Sequence, residues 1–350
     1  MLSREQVGEP EDFRLLREAL WRRDPRLDVM VDARFQTPGL RGWLRFSAGT
    51  LAQLRLAATA RVVVVDTYSP VVSGVSWGQR LRTVQLWHAL GALKWFGWDA
   101  VGMPDGRSRA IAEAGRMHRG YDMVLVSSER CRDPYASAFR VVRERIAIAP
   151  LPRVDLLLDP RARESVRRRI LAAYPDLEGR TIVLYAPTHR PGRSTPPDVA
   201  ALARAAASRG LTLIHSRHPL APAVRGVRSA DGFTTAELAS VASAFATDYS
   251  SAVFEAALLG VPCYFFAPDL EAYRRDRGLY TDIARETPFP VVSDPGELMD
   301  AIVGGASTEE DARAFAREWI TVPGEGVRPG DRPCADQVAG LVLDQLARTR

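Results

Sequence analysis

The sequence predicts an α/β protein of two open parallel sheets, one in each half of the chain, facing each other across a cleft. Three observations carry that expectation. Short apolar runs rich in valine and isoleucine recur along the 350 residues, the composition of strands buried on both faces. Amphipathic stretches separate these runs, so the chain reads as repeated strand–helix units. The passage PLPRVDLLLDP (150–160), bracketed by prolines, interrupts the rhythm near the middle, and the length exceeds what a single hydrophobic core supports.

In order, the first half offers strands at RLDVMV (26–31), RVVVVD (61–66), TVQLW (83–87), DMVLVS (122–127) and RIAIA (145–149), with helices over 11–22, 47–59, 106–118 and 132–143. After the interruption come strands TIVLYA (181–186), LTLIHS (211–216), SAFATD (243–248), PCYFFA (262–267) and FPVV (289–292), with helices between them. ADQVAGLVLDQLA (335–347) reads as a closing helix. The expected organisation is a first domain over 1–158, a second over 159–334, and a terminal helix over 335–350. No internal repeat at a fixed period is present.

Composition narrows the function. With 46% hydrophobic and 25% charged residues the chain reads as ordinary globular protein. Its net charge of +5 is modest, and arginine and aspartate are interspersed, so no stripe for nucleic acid is expected. Cys131, Cys263 and Cys334 lack both CxxC and zinc spacing, which fits a reducing compartment. No run of about 18 apolar residues exists and the N-terminus carries no apolar signal segment. The expected location is cytoplasmic, with peripheral contact to the inner face of the cell membrane left open.

Ligands of open parallel sheets bind beyond the carboxyl ends of the strands, so function is sought in the loops there. In ATDYSSAVFEAALLGVP (246–262) the strand ends at Thr247 and Asp248, and Ser250 and Ser251 stand where a helix must begin. Serine there caps free backbone amides, and the same amides with the helix dipole suit an anion. Glu255, on the first turns, stands where a carboxylate takes a ribose hydroxyl. YAPTHRPGRS (185–194) brings Thr188, His189 and Arg190 to the same edge, and HSRHPLAP (215–222) brings Arg217 and His218. Such cations converge well on a diphosphate. No carboxylate or cysteine spacing supports a metal site and no metal cofactor is expected. Neither half carries GxGxxG after its first strand, which disfavours a dehydrogenase. His215, inside an apolar strand, reads as core; His118, after an amphipathic stretch, reads as surface.

QLWHALGALKWFG (85–97) holds His88 and Lys94, the one lysine in a chain with 47 basic residues. A histidine titrates near neutrality and accepts a proton where arginine cannot. Lys94 reads either as a contact to an acceptor's phosphate or as a lipid-headgroup contact shared with Trp95, Phe96 and Trp98. For those aromatic residues, and for the segment 40–56, packing is the favoured role.

TVQLWHALGALKWFG, YAPTHR, SRHP and TDYSSAVFEAALLGVP, with the linker element PRVD (152–155), resemble the CDP-glycerol glycerophosphotransferase family, which makes teichoic acids and related glycan phosphates. The resemblance spans 61 to about 292 and implies a fold of the GT-B type, two Rossmann-like domains with the active site between them. It lacks the strand expected before the first helix, and has Ala89 where many members carry glycine after the motif histidine. By resemblance His88 is the general base on the acceptor hydroxyl and His218 a second catalytic histidine near the donor diphosphate. Thr188, Arg190, Arg217, Asp248, Ser250, Ser251 and Glu255 fall on the donor side, and Lys94 on the acceptor or phosphate side. The implied reaction transfers glycerol phosphate or ribitol phosphate from a CDP-alcohol to a hydroxyl of a glycan or polyprenyl-linked acceptor, releasing CMP. The alternatives are a nucleotide-sugar glycosyltransferase on the same fold, or an inactive scaffold that binds nucleotide or glycan.

Overall fold

A computed structural model of the chain describes residues 1–3, 8–34, 39–188, 198–217, 223–324 and 327–349, the side chains of residues 40, 41 and 43–45 excepted. The first sheet comprises β1 (Leu2–Ser3), β2 (Asp32–Ala33), β3 (Val62–Val65), β4 (Arg82–Gln85), β5 (Met123–Val126) and β6 (Ile146–Ile148). Across it the order is β2-β1-β3-β4-β5-β6 and every neighbouring pair is parallel. The second comprises β7 (Ile182–Tyr185), β8 (Thr212–His215), β9 (Ala244–Thr247), β10 (Cys263–Phe266) and β11 (Val291–Val292), in the order β11-β10-β9-β7-β8, again all parallel. The central strands are buried along most of their length: β7, β9 and β10 are inaccessible at all four positions. That is why their sequences are continuous apolar runs rather than alternating ones. In the second sheet the chain runs from β7 to β8 on one side and then crosses to β9 on the other. The loops after β7 and β9 therefore open beside each other, at the reversal where parallel sheets take ligands.

The strand expected over 26–31 is not one. Its alternation is real, since Leu27 and Val29 pack on the core while Asp28 and Met30 face outward, but pairing begins only at Asp32, whose amide donates to Met1 O at 2.9 Å. The strand expected to be absent before the first helix is present as β1, which inserts between β2 and β3. Two residues of strand leave no periodicity to read. The helix expected over 106–118 shortens to Arg109–Ala114, and the one over 132–143 to Arg132–Phe139, stopped by Arg140 at φ 52°.

The two halves are sewn together at their loops. Gly91, at φ +66°, lies flat against the Phe254 ring; a Cβ there would stand 2.2 Å from it. Gly278, at φ +80°, does the same beneath Trp95, again at 2.2 Å. Lys94 and Leu279 form an antiparallel bridge, and Thr281 Oγ1 donates to Ala92 O at 3.0 Å. The linker adds a second seam. Asp155, wholly buried, accepts from the amides of Cys334 and Ala335 at 2.9 Å each and so caps the helix Pro333–Ala347. That helix returns to the first half, where Asp336 pairs with Arg22 at 2.8 Å and Thr349 Oγ1 accepts from Arg61 at 2.8 Å.

Candidate active site

His88 leaves the carboxyl end of β4 on a strained step. Trp87 adopts φ +63°, a left-handed conformation that a tryptophan takes only when its surroundings impose it. They do: its amide donates to Gln85 Oε1 at 2.9 Å, and its ring packs against Phe96 at 5.2 Å and Phe139 at 5.1 Å. The next residue is thereby turned into the cleft, with the His88 ring 4.2 Å from that of Trp87. His88 Nδ1 lies 3.0 Å from Asp66 O. A carbonyl oxygen only accepts, so in the neutral imidazole Nδ1 carries the hydrogen and Nε2 keeps its lone pair.

Two cavities, each of about 710 Å³, meet at this residue. Trp87, His88 and Ser251 line both. One cavity lies on the first sheet's side and contains Lys94, Arg107 and Arg277. The other runs toward the linker and the second sheet and contains Arg153, Arg163, Thr235, Ser250 and Glu255. The structure thus gathers His88, Ser250, Ser251 and Glu255 around one space and puts Lys94 in the adjoining one.

The serines open the helix Ala252–Leu258, where Ser250 Oγ accepts from the Ala252 amide at 3.3 Å and Ser251 makes no side-chain cap. Asp248 is fully buried, and its Oδ1 accepts from the amides of Thr188 at 2.7 Å and Tyr249 at 2.5 Å. It ties the loop after β7 to the loop after β9. Arg217 pairs with Asp231 at 3.2 Å, and neither it nor Thr188 and Asp248 lines the two cavities. His218, Arg190 and His189 lie outside the described residues. Among the described residues no group of three His, Cys, Asp or Glu is placed to hold a metal ion, and no helix is long and apolar enough to cross a membrane. Cys131, Cys263 and Cys334 are free and buried.

Arg153 is the functional residue that sequence reasoning passed over. Its guanidinium bonds Asp12, Glu255 Oε1 at 2.8 Å and His88 O at 2.8 Å, and its amide donates to Asp12 Oδ1 at 2.8 Å. One side chain from the linker therefore joins the first helix, the base loop and the helix that follows the serines. Burial opposes its charge, and the carboxylates of Asp12 and Glu255 more than offset that, holding it firmly protonated. Glu255 is accordingly held by Arg153 at the cavity wall. The signal was the PRVD element itself, an arginine amid prolines and apolar residues.

His118 corrects the sequence reading. It is 3% exposed rather than at the surface, with Nδ1 2.9 Å from Tyr121 Oη and its ring 4.4 Å from Phe139. The short helix before it ends early and the left-handed His118, φ +61°, turns the side chain inward. Burial above all, with the Arg107 charge and His88 adding, lowers its pKa to about 3. A folded pKa below the unfolded one means that the unfolded chain binds the extra proton. Stability is then fully present above about pH 6.5 and falls as pH drops toward 3. His118→Asn, which tolerates the backbone and does not titrate, is expected to flatten that acid limb of a Tm-against-pH curve. An unaltered limb would assign the acid sensitivity elsewhere. The aromatic residues after Lys94 are packed within the chain: Phe96 against Tyr135 at 4.9 Å and Tyr280 at 5.7 Å, and Trp98 with its Nε1 on Met117 O at 2.8 Å.

Comparison with known proteins bears on this arrangement. A family model described as CDP-Glycerol:Poly(glycerophosphate) glycerophosphotransferase matches residues 13–321. A teichoic acid ribitol-phosphate primase of Bacillus spizizenii is 29% identical over 325 residues, covering 89% of this chain and 83% of the relative. A teichoic acid poly(ribitol-phosphate) polymerase of the same organism is 31% identical over 261 residues, 70% of this chain and 41% of the relative, so the chain spans less than half of that protein. In three dimensions the chain resembles the wall teichoic acid polymerase TagF, with TM-score 0.72 and 18% identity over 99% of this chain and 88% of that one. Anabaena Alr3699/HepE in complex with UDP-glucose shares the fold at TM-score 0.55 and 13% identity, over 98% of each chain. The fold is that of the GT-B type expected from the motifs.

Proposed function

The chain belongs to the CDP-glycerol:poly(glycerophosphate) glycerophosphotransferase family, and from that membership we propose that it transfers a polyol phosphate, glycerol phosphate or ribitol phosphate, from a CDP-alcohol to a hydroxyl of a teichoic acid acceptor. The observation that carries the reading is His88 at the junction of two cavities, with Nδ1 held by Asp66 O. The acceptor alcohol attacks the phosphorus distal to cytidine while Nε2 takes its proton. The bond from that phosphorus to the bridging oxygen breaks, and CMP leaves with the oxygen. A displacement of this kind asks the protein for position, charge neutralisation and a base rather than for a covalent intermediate. We assign the donor to the cavity of Ser250, Ser251 and Glu255, and the acceptor to the cavity of Lys94. In that scheme Asp248 and Thr188 act by fixing the donor loops, and Arg217, Arg190 and His218 belong to the donor side.

The test is calorimetric titration with CDP-glycerol, CDP-ribitol and UDP-sugars, followed by CMP-release assays over glycan and lipid-linked acceptors and chain-length analysis of the product. A CDP-alcohol is expected to bind at least about tenfold more tightly than any UDP-sugar, a gap of roughly 1.4 kcal/mol. Preference for a UDP-sugar would replace this reading with glycosyl transfer.

A further inference from the structure

The cavity on the first sheet's side is lined by more cationic than anionic side chains. Four cationic side chains line it, Arg34, Lys94, Arg107 and Arg277, against one carboxylate, Asp105. Arg34 is accounted for by Asp32 at 2.6 Å. Arg107 and Arg277 form no salt bridge among the described residues, unlike Arg130, which pairs with Glu286 and Glu318, and Arg209, which pairs with Asp300.

Arg277 is also the better placed of the two. It ends the helix Leu270–Arg277 of the second half, and crosses to the first, where Nε donates to Trp95 O at 3.1 Å and Nη1 to Asp105 O at 2.6 Å. Both partners are carbonyl oxygens, which fix the orientation of the guanidinium and leave its charge in place. Gly278 permits that placement, since its missing side chain lets the helix end close onto Trp95. Arg107 lines the same cavity from an exposed loop, 5.5 Å from the centre of the Tyr68 ring, and its charge reaches the buried His118. A planar fork held open toward a cavity suits a phosphate oxygen pair.

We propose that Arg277, together with Arg107, determines which acceptors are taken, by holding an anionic phosphate group attached next to the reacting hydroxyl. The assignment rests on the transferase reading above, which puts the donor in the cavity of Ser250 and Glu255 and leaves this one, on the other side of His88, to the acceptor. The donor brings its own phosphates to the other cavity, so charge here serves a second anionic molecule. A neutral sugar alcohol would leave both guanidinium groups without a counter-ion and gain only weak hydrogen bonds.

The test uses the full chain saturated with CMP, titrated calorimetrically with glycerol 3-phosphate and with glycerol, in wild type, Arg277→Gln and Arg107→Gln. Wild type is expected to bind glycerol 3-phosphate and not glycerol. Arg277→Gln is expected to weaken the phosphate ligand by about tenfold or more, the worth of one hydrogen bond to a charged group. CMP affinity should stay within about twofold, because neither arginine lines the cavity of Ser250 and Glu255. Arg107→Gln, at an exposed position, should weaken binding of the phosphate ligand in the same direction. In turnover with a phosphorylated acceptor the loss should fall on KM. Glycerol bound as tightly as glycerol 3-phosphate, or an unchanged affinity in both variants, overturns the proposal. Arginine-dependent binding of glycerol 3-phosphate without any transfer from a CDP-alcohol would instead sink the transferase reading and leave the anion subsite standing.

Discussion

His88→Ala is expected to keep CDP-alcohol affinity within about threefold while CMP release to an acceptor falls by about 10² to 10⁴, the scale of a lost general base. The separation of the two effects follows from position. His88 rises from β4 of the first sheet, while the serines and Glu255 follow β9 of the second. Removing the imidazole ring therefore leaves Ser250, Ser251 and Glu255 in place. The hydrogen bond to Asp66 O fixes which nitrogen faces the substrate, so His88→Gln, which offers an amide but no comparable base, should be impaired nearly as much. Equal rates of CMP release from wild type and His88→Ala with a verified acceptor would make His88 structural and remove the base from this mechanism. Lys94→Arg belongs in the same assay: a loss at constant donor affinity would place the lysine on the acceptor's side.

Arg153→Met should cost stability as well as rate. The substitution keeps an unbranched apolar stem and deletes the charge that Asp12 and Glu255 share. Those carboxylate side chains are only 9% and 14% exposed, so they would face each other with little water to screen them. Breaking a buried pair from one side typically costs about 3–5 kcal/mol. Arg153 itself remains 21% exposed at the cavity wall, so about 2–4 kcal/mol is the expected loss in a denaturant titration. Adding Asp12→Asn and Glu255→Gln should recover part of it at neutral pH. A single variant as stable as wild type would show that the linker arginine carries no such burden. Because Arg153 also holds the carbonyl of His88, kcat should fall in the single variant even where the fold survives.

Much of the architecture was legible because the strands are buried on both faces. VVVV, MVLV and CYFF admit few readings. The edges of the first sheet were not, since β1 and β2 are two residues each and are defined by what they pair with rather than by what they contain. In the site, His88, Lys94 and the serine loop announced themselves as polar residues at strand ends. Arg153 did not, because its importance lies in partners 141 and 102 residues away. His118 misled for a related reason: a short helix hid the turn that carries it into an aromatic pocket. Arg107 and Arg277, in the cavity of Lys94, were invisible in a chain where arginine is everywhere.

The helix Pro333–Ala347 has a consequence for how the chain is made. It packs on the first helix, Glu11–Arg23, whose Phe13, Leu16 and Leu20 are buried, and its start is capped by Asp155 of the linker. A ribosome delivers the first half long before this segment, so the first half must wait with part of its apolar face open, while the second can close on itself as it emerges. The order of synthesis and the order of completion are therefore opposed. An Asp155→Ala chain, deprived of that cap, should burden chaperones during translation more than its equilibrium stability would suggest.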